Sequence, residues 1–169
     1  WLRDTDFAEL VRDLATHQSD WDPGRFGGRW SLAGAQPKAA LFRDPASGRF
    51  GIPRDATPTT VIVKPAIAGY ARHHINEALC LSAAGEAGLL AAGSEVVEIA
   101  DVQVLISMRY DRLHDGTAWR RVHQEDMCQA LSVHPSLKYQ SDGGPGVGKI
   151  ADLLARLPIE DREVNAERF

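Results

Sequence analysis

The sequence has little of what marks the specialised protein classes. Only two of its 169 residues are cysteine, Cys80 and Cys128. They lie far apart, without C-x-x-C spacing or the density of a disulfide scaffold, which fits a reducing cytoplasm with each thiol a small core hydrophobe. No apolar run approaches the roughly 20 residues of a membrane span, so a membrane protein is excluded. Internal repeats and low-complexity segments are missing too. An excess of positive charge is also lacking: 19 Lys and Arg stand against 23 Asp and Glu, a formal net charge of −4. That balance argues against a surface built to track nucleic-acid backbone. Neither an initiator methionine nor a signal-peptide pattern stands at Trp1, and no helix-ending signal precedes Phe169, so the expectation is a piece of a longer protein.

What is present is a globular composition, with 44% hydrophobic residues, enough for one core or two small lobes sharing a cleft. Phe7, Leu10, Val11 and Leu14 recur at helical spacing and predict a helix from Asp4 to His17, followed by a loop in "SDWDPGRFGG". Lys38 to Phe42 and Phe50 to Ile52 read as strands joined through "RDPASGRFG" into a hairpin. The β-branched run "TTVIVKPA", Thr59 to Ala66, predicts a strand that carries Lys64 where burial is expected, and a buried lysine needs a partner. A helix from Ile75 to Leu90 is expected to bury Ile75, Leu79, Ala83, Ala87 and Leu90, with Glu77 near its first turn. Two strands, "SEVVEI" and "VQVLISM", follow around a tight turn at Ala100 and Asp101. Beyond Asp111 the pattern turns helical: a short helix in "QEDMCQAL", a loop in "SDGGPG", and a helix along Val147, Ile150, Leu154 and Leu157 stopped by Pro158.

Several of these features carry chemistry when taken in order. The small residues of "SLAGAQPKAALF" clear a path for backbone N–H groups to approach an anion, although an ordinary β-turn reads the same way. A flexible strand lysine supplies a point charge to phosphates, and a glutamate from a packed helix holds it in place, which pairs Lys64 with Glu77. Each feature alone has a plainer reading: a common loop, an edge-strand lysine that resists aggregation, a solvated helix-start glutamate. Loop, strand lysine, helix glutamate and a strand leading to a hinge together describe the small lobe of a kinase. Asp111 and Arg112 read as a salt-bridged structural pair, His123 as a capping or packing residue, and "SDGGPG" as a loop without chemistry.

The segments "SLAGAQPKAAL", "VIVKP", "INEALCLSAA", "MRYDR", "VHQEDMCQAL" and "KYQSDGGPG" resemble, in sequence and order, the HipA family of serine/threonine protein kinases, the toxins of bacterial toxin–antitoxin pairs. The likeness covers nearly the whole chain from about Ser31. It implies a phosphate-binding loop on Ala33, Gly34, Ala35, Gln36, Pro37 and Lys38, and a nucleotide-contacting Lys64. It also implies a hinge meeting adenine at Met108, Arg109 and Tyr110, and a self-phosphorylated, inactivating serine at Ser31. The family often has an acidic residue or valine in place of Met108 and phenylalanine in place of Tyr110. Its catalytic aspartate, nearby asparagine and magnesium-binding aspartate sit in later motifs that nothing here matches, Glu160, Asp161 and Glu163 being polar surface. No catalytic or metal-binding residue is therefore expected in this chain.

The implied organisation is an α+β fold: an N-terminal helix and loop over residues 1–29, a kinase small lobe of mainly antiparallel sheet plus one helix over 30–110, and the first helices of a large lobe over 111–169. The implied function is the ATP-binding half of a HipA-like serine/threonine kinase toxin, with ATP and Mg²⁺ as cofactors. The target class is an aminoacyl-tRNA synthetase, glutamyl-tRNA synthetase being the named candidate, so that translation halts. A HipB-like DNA-binding antitoxin is the implied partner, with DNA reached only through it and no membrane involved. The alternative is a non-catalytic kinase-like module that binds nucleotide or a partner. An ATP-grasp enzyme also uses strand lysines and a hinge but leaves the later helical motifs unexplained.

Overall fold

The computed structural model describes residues 1–16, 32, 36–54 and 56–158. The expected loop over "SDWDPGRFGG", together with Ser31, Ala33, Gly34 and Ala35, lies outside the described residues, as do Glu160, Asp161 and Glu163. The chain divides into two compact units, Trp1–Val122 and His123–Phe169.

The first unit is built on a five-stranded antiparallel sheet. Helix α1, Asp4–Thr16, opens with Asp4 and Asp6 in its first turn, where carboxylates complement the positive end of the helix dipole. Its Phe7, Leu10, Val11 and Leu14 are buried. Strand β1, Ala39–Arg43, turns through a loop held by the Asp44 carboxylate, which accepts from the Ala46 and Ser47 N–H groups at 3.3 and 3.1 Å, and returns as β2, Phe50–Gly51. With β3, Val61–Pro65, β4, Ser94–Ile99, and β5, Val102–Met108, the order across the sheet is β2-β1-β3-β5-β4. Val63 stands opposite both Ala39 of β1 and Ile106 of β5. Because strand side chains alternate, Ala39, Leu41, Val61, Val63, Val104 and Ile106 turn one way and join the α1 residues in a single core. Rings of Phe7 and Phe50 meet there with centroids 4.8 Å apart, and Arg12 of α1 pairs with Asp101 at the β4–β5 turn. In that turn Ala100 adopts φ 56°, a left-handed conformation that disfavours a side chain.

Helix α2, His73–Glu86, packs against β4 and β5. Its orientation differs from the expected one. Leu79 and Leu90 are 64% and 76% exposed, whereas His74 is buried and Glu77, Ala78 and Leu81 are half-buried. Apolar residues run all round this helix, so their spacing selects no face; the polar side chains that find partners beneath it do. The helix also stops short of Leu90, at Glu86, where Gly88 at φ 81° lets the Leu89 N–H reach back to the Ala84 carbonyl. Cys80 lies on the outward side and is exposed, and Cys128 is half-buried, so neither thiol is the core hydrophobe expected.

A second hairpin follows the sheet: β6, Arg112–His114, and β7, Trp119–Arg121. It was not expected from the sequence, because its strands are three residues long and largely charged. The Asp115-Gly116 pair between them is the missed signal. The Asp115 carboxylate accepts from the N–H groups of Thr117 and Ala118, both at 3.0 Å, and these bonds draw its pKa down to about 2.

The second unit holds α3, Met127–Ala130, two single 3₁₀ turns at Pro135–Leu137 and Gln140–Asp142, and α4, Val147–Leu154. Helix α3 is capped by Asp126, which accepts from the Gln129 N–H at 2.8 Å while the Gln129 side chain accepts from the Asp126 N–H at 2.9 Å. His123 therefore neither caps nor packs; its side chain is 84% exposed and meets Glu125 at 3.2 Å. In "SDGGPG" Gly144 has a packing role, since a Cβ there would lie 2.0 Å from the Leu137 carbonyl oxygen. The N–H groups of Gly143 and Gly144 are already bonded to the carbonyls of Gln140 and Tyr139. No described residue of this unit is buried.

Candidate functional site

Lys64 sits on β3 between buried Val63 and Pro65, opposite fully buried Leu105 of β5. Strand alternation turns its side chain away from α1 and toward α2. There its ammonium donates to the carboxylate of Glu77, the fifth residue of α2. With side chains 17% and 28% exposed, the two groups hold each other largely out of water, where an unpaired lysine would be costly. The pairing expected from the sequence is the one present.

One helical turn earlier on the same face of α2 stands His73, four residues before Glu77. Its Nδ1 accepts from the Ile67 N–H at 3.3 Å, and its Nε2 lies 3.0 Å from the side-chain amide of Gln36 in the loop before β1. The preceding residue, Arg72, adopts φ 54°, so the chain folds back sharply as the helix begins. Pro37 is buried and Lys38 half-buried where this loop runs into β1. His74 is 5% exposed, and neither of its ring nitrogens has a hydrogen-bond partner among the described residues.

At the end of β5 the residues expected to form a hinge divide in character. The Met108 N–H is bonded to the Gly93 carbonyl at 2.7 Å, and the Arg109 N–H to the Thr60 carbonyl at 3.0 Å. Arg109 turns inward: Nε and Nη2 donate to the two oxygens of Asp111 at 3.0 and 2.8 Å, and Nη1 donates to Thr59 Oγ1 at 3.0 Å. Arg112 adds a bond to Asp111 at 2.6 Å. The hydrogen bond from Arg109 outweighs burial and holds the Asp111 carboxyl below the usual carboxylate range. Asp111 and Arg112 thus form the structural pair read from the sequence, with Arg109 as a further partner that the sequence did not announce. Met108 and Tyr110 are the outward hinge side chains, 44% and 70% exposed.

A cavity of about 540 Å³ opens at the β1–β2 edge, lined by Trp1, Phe42, Gly51, Ile52, Arg54 and Thr57. It shares no lining residue with the Lys64 cluster. Among the described residues no group of three or more His, Cys, Asp or Glu side chains is placed to hold a metal ion. His73 is the site residue that sequence reasoning missed; a histidine four residues ahead of the helix glutamate in "HHINE" is the signal that was available.

The curled antiparallel sheet, a strand lysine paired to a helix glutamate, and the helical unit that follows define an α+β chain of kinase-like build. The chain belongs to the HipA-like C-terminal domain family, whose model matches residues 30–169. It is 40% identical over 135 residues to Y4mE of Sinorhizobium fredii, a protein with a provisional kinase name, covering 79% of this chain and 32% of that protein. It is 32% identical over 123 residues to the serine/threonine-protein kinase toxin HipA of Shewanella oneidensis, covering 70% of this chain and 27% of the toxin. The chain thus spans about a third of the length of the curated relatives it matches. Among solved structures it is similar to the complex of Shewanella oneidensis HipA, HipB and operator DNA, with TM-score 0.62 and 25% identity over 89% of this chain and 34% of the matched one. No helix among the described residues is long and apolar enough to cross a membrane.

Proposed function

We propose that this chain is the ATP-gripping portion of a HipA-like serine/threonine kinase toxin. The Lys64–Glu77 ion pair carries the reading, because it couples a strand cation to a packed helix as phosphate binding requires. In this reading Lys64 meets the nucleotide phosphates as a point charge, and Glu77 holds the ammonium in line by limiting its rotamers. The loop through Gln36, Pro37 and Lys38 closes over the phosphates. The exposed Met108 and Tyr110 side chains offer apolar surface to the purine, since the N–H groups of Met108 and Arg109 are spent inside the chain. Mg²⁺ accompanies ATP in this chemistry, but the described residues hold no group of three or more His, Cys, Asp or Glu side chains that fits it. The same reading extends to a cytoplasmic setting, a HipB-like DNA-binding antitoxin, an aminoacyl-tRNA synthetase as substrate, and self-phosphorylation at Ser31. Mass spectrometry after incubation with ATP and Mg²⁺ should find phosphate on Ser31.

The deciding experiment is calorimetric titration of the protein as its gene encodes it with ATP and Mg²⁺, beside transfer of radiolabel from the γ-phosphate to protein. Wild type should bind and transfer, and Lys64→Ala should do neither at the same concentrations. Binding without transfer would favour the non-catalytic module. Absence of binding would overturn the assignment.

A further inference from the structure

We propose that His73 is a positioning residue: it ties Gln36, and with it the loop entering β1, to the same face of α2 that holds Lys64 through Glu77. The inference rests on the nucleotide-binding reading above and assigns that site a residue of its own. Its starting point is hydrogen-bond polarity. The Ile67 N–H is a donor, so His73 Nδ1 must be an unprotonated acceptor, and the neutral ring then carries its hydrogen on Nε2. That hydrogen is directed at the Gln36 amide, whose Nε2 stands 3.0 Å from the ring, and only the amide's oxygen can receive it. The arrangement that satisfies both contacts turns Gln36 Oε1 to the ring and leaves the amide NH₂ as a donor for another acceptor. A phosphate oxygen is an acceptor of the required kind.

The spacing makes the contact more than a local tie. His73 and Glu77 are one turn apart on α2, so a rotation or slide of the helix moves the Gln36 contact and the Lys64 contact together. Gln36 and His73 are 37 residues apart in the chain, and neither is needed by the α1 core. His73 thereby makes loop, lysine and helix a single unit, set before any nucleotide arrives.

Two substitutions separate its two bonds. His73→Asn keeps an oxygen within reach of the Ile67 N–H but is too short to reach Gln36, whereas His73→Gln reaches Gln36 and gives up the Ile67 acceptor. In the protein as its gene encodes it, His73→Asn should weaken ATP binding and raise KM for ATP by about tenfold, the loss of roughly one hydrogen bond, with kcat changed less than twofold. His73→Gln should restore affinity to within about threefold of wild type, and Gln36→Ala combined with His73→Asn should be no weaker than either alone. Long-range ¹⁵N–¹H NMR on the nucleotide-free wild type should find the His73 hydrogen on Nε2. An Nδ1–H ring, a His73→Asn variant that binds like wild type, or a His73→Gln variant as weak as His73→Asn would each overturn the role of His73 while leaving the nucleotide reading intact. Failure of the wild type to bind ATP would overturn both.

Discussion

The two faces of the five-stranded sheet are made from alternate residues of the same strands, yet they do different work. On the α1 face, Phe7, Leu14, Val61, Val63, Val104 and Ile106 are at most 1% exposed and belong to one apolar cluster. On the α2 face, Ile62 and Lys64 are half-buried, Ser107 is buried beside Leu105, and the contacts that orient the helix include the Lys64–Glu77 pair. Period-two alternation sends the apolar core to one side and, in the proposed function, ligand handling to the other. A substitution on the first should be felt as unfolding free energy, and one on the second as loss of ligand handling.

The largest expected effect is on the dry face. Leu14→Ala leaves a cavity among side chains that cannot all collapse, and should cost about 3–4 kcal/mol. Denaturant unfolding should record it as a lower midpoint at unchanged slope; a cost below 1 kcal/mol would erase the contrast between the faces. On the other side, Lys64→Ala should lower phosphoryl transfer by at least about a hundredfold, near 3 kcal/mol of transition-state stabilisation. Its unfolding free energy should fall by only about 1 kcal/mol, because Glu77, with its side chain 28% exposed, can turn to water once the lysine is gone. Equal losses in both assays would mean that Lys64 is a structural residue.

Asp111 sharpens the contrast at the hinge, where a charge is buried for structure alone. Asp111→Asn leaves two arginine side chains, 8% and 9% exposed, without their counter-charge, and should cost about 3 kcal/mol. The pH dependence has a definite sign. Because folding lowers the Asp111 pKa, its contribution is complete above the unfolded carboxylate value of about 4 and is lost as pH falls through the folded value. Wild type should lose stability on acidification through that window more steeply than Asp111→Asn, as thermal melts between about pH 5 and 2 would show. The smallest effect belongs to the β4–β5 turn: Ala100→Gly relieves a left-handed residue at φ 56° but adds unfolded-state entropy, for a net gain of about 0.5 kcal/mol. A loss instead would show that the turn relaxes around alanine.

The Lys64–Glu77 pair was legible because its logic is local. A lysine inside "VIVK" announces a burial partner, and a glutamate early in the next helix is the nearest carboxylate on a packed element, so the pair could be named from residue types and order. What escaped is what depends on direction. Arg109 stands in the segment expected to form a hinge, and its guanidinium donates to Asp111 and Thr59 inside the fold. His73 reads as one of two histidines before a helix, and nothing in the chain says which one meets a glutamine 37 residues away.

Apolar spacing in α1, β-branched composition in the strands, the Ala100–Asp101 turn and the Asp126–Gln129 cap are short-range properties, and the amino-acid order settled each of them within a few residues. The face that α2 presents was settled differently. With leucine, isoleucine and alanine on all its sides, burial alone ranks its orientations almost equally. The choice goes with polar partners: Glu77 lies over Lys64 and His73 over Gln36 and the Ile67 N–H at one rotation of the helix, the rotation that also buries His74 without a partner among the described residues. Hydrophobic burial is non-directional, whereas hydrogen bonds and ion pairs require a partner at a set distance and angle, and that partner exists only once the sheet and loop are assembled.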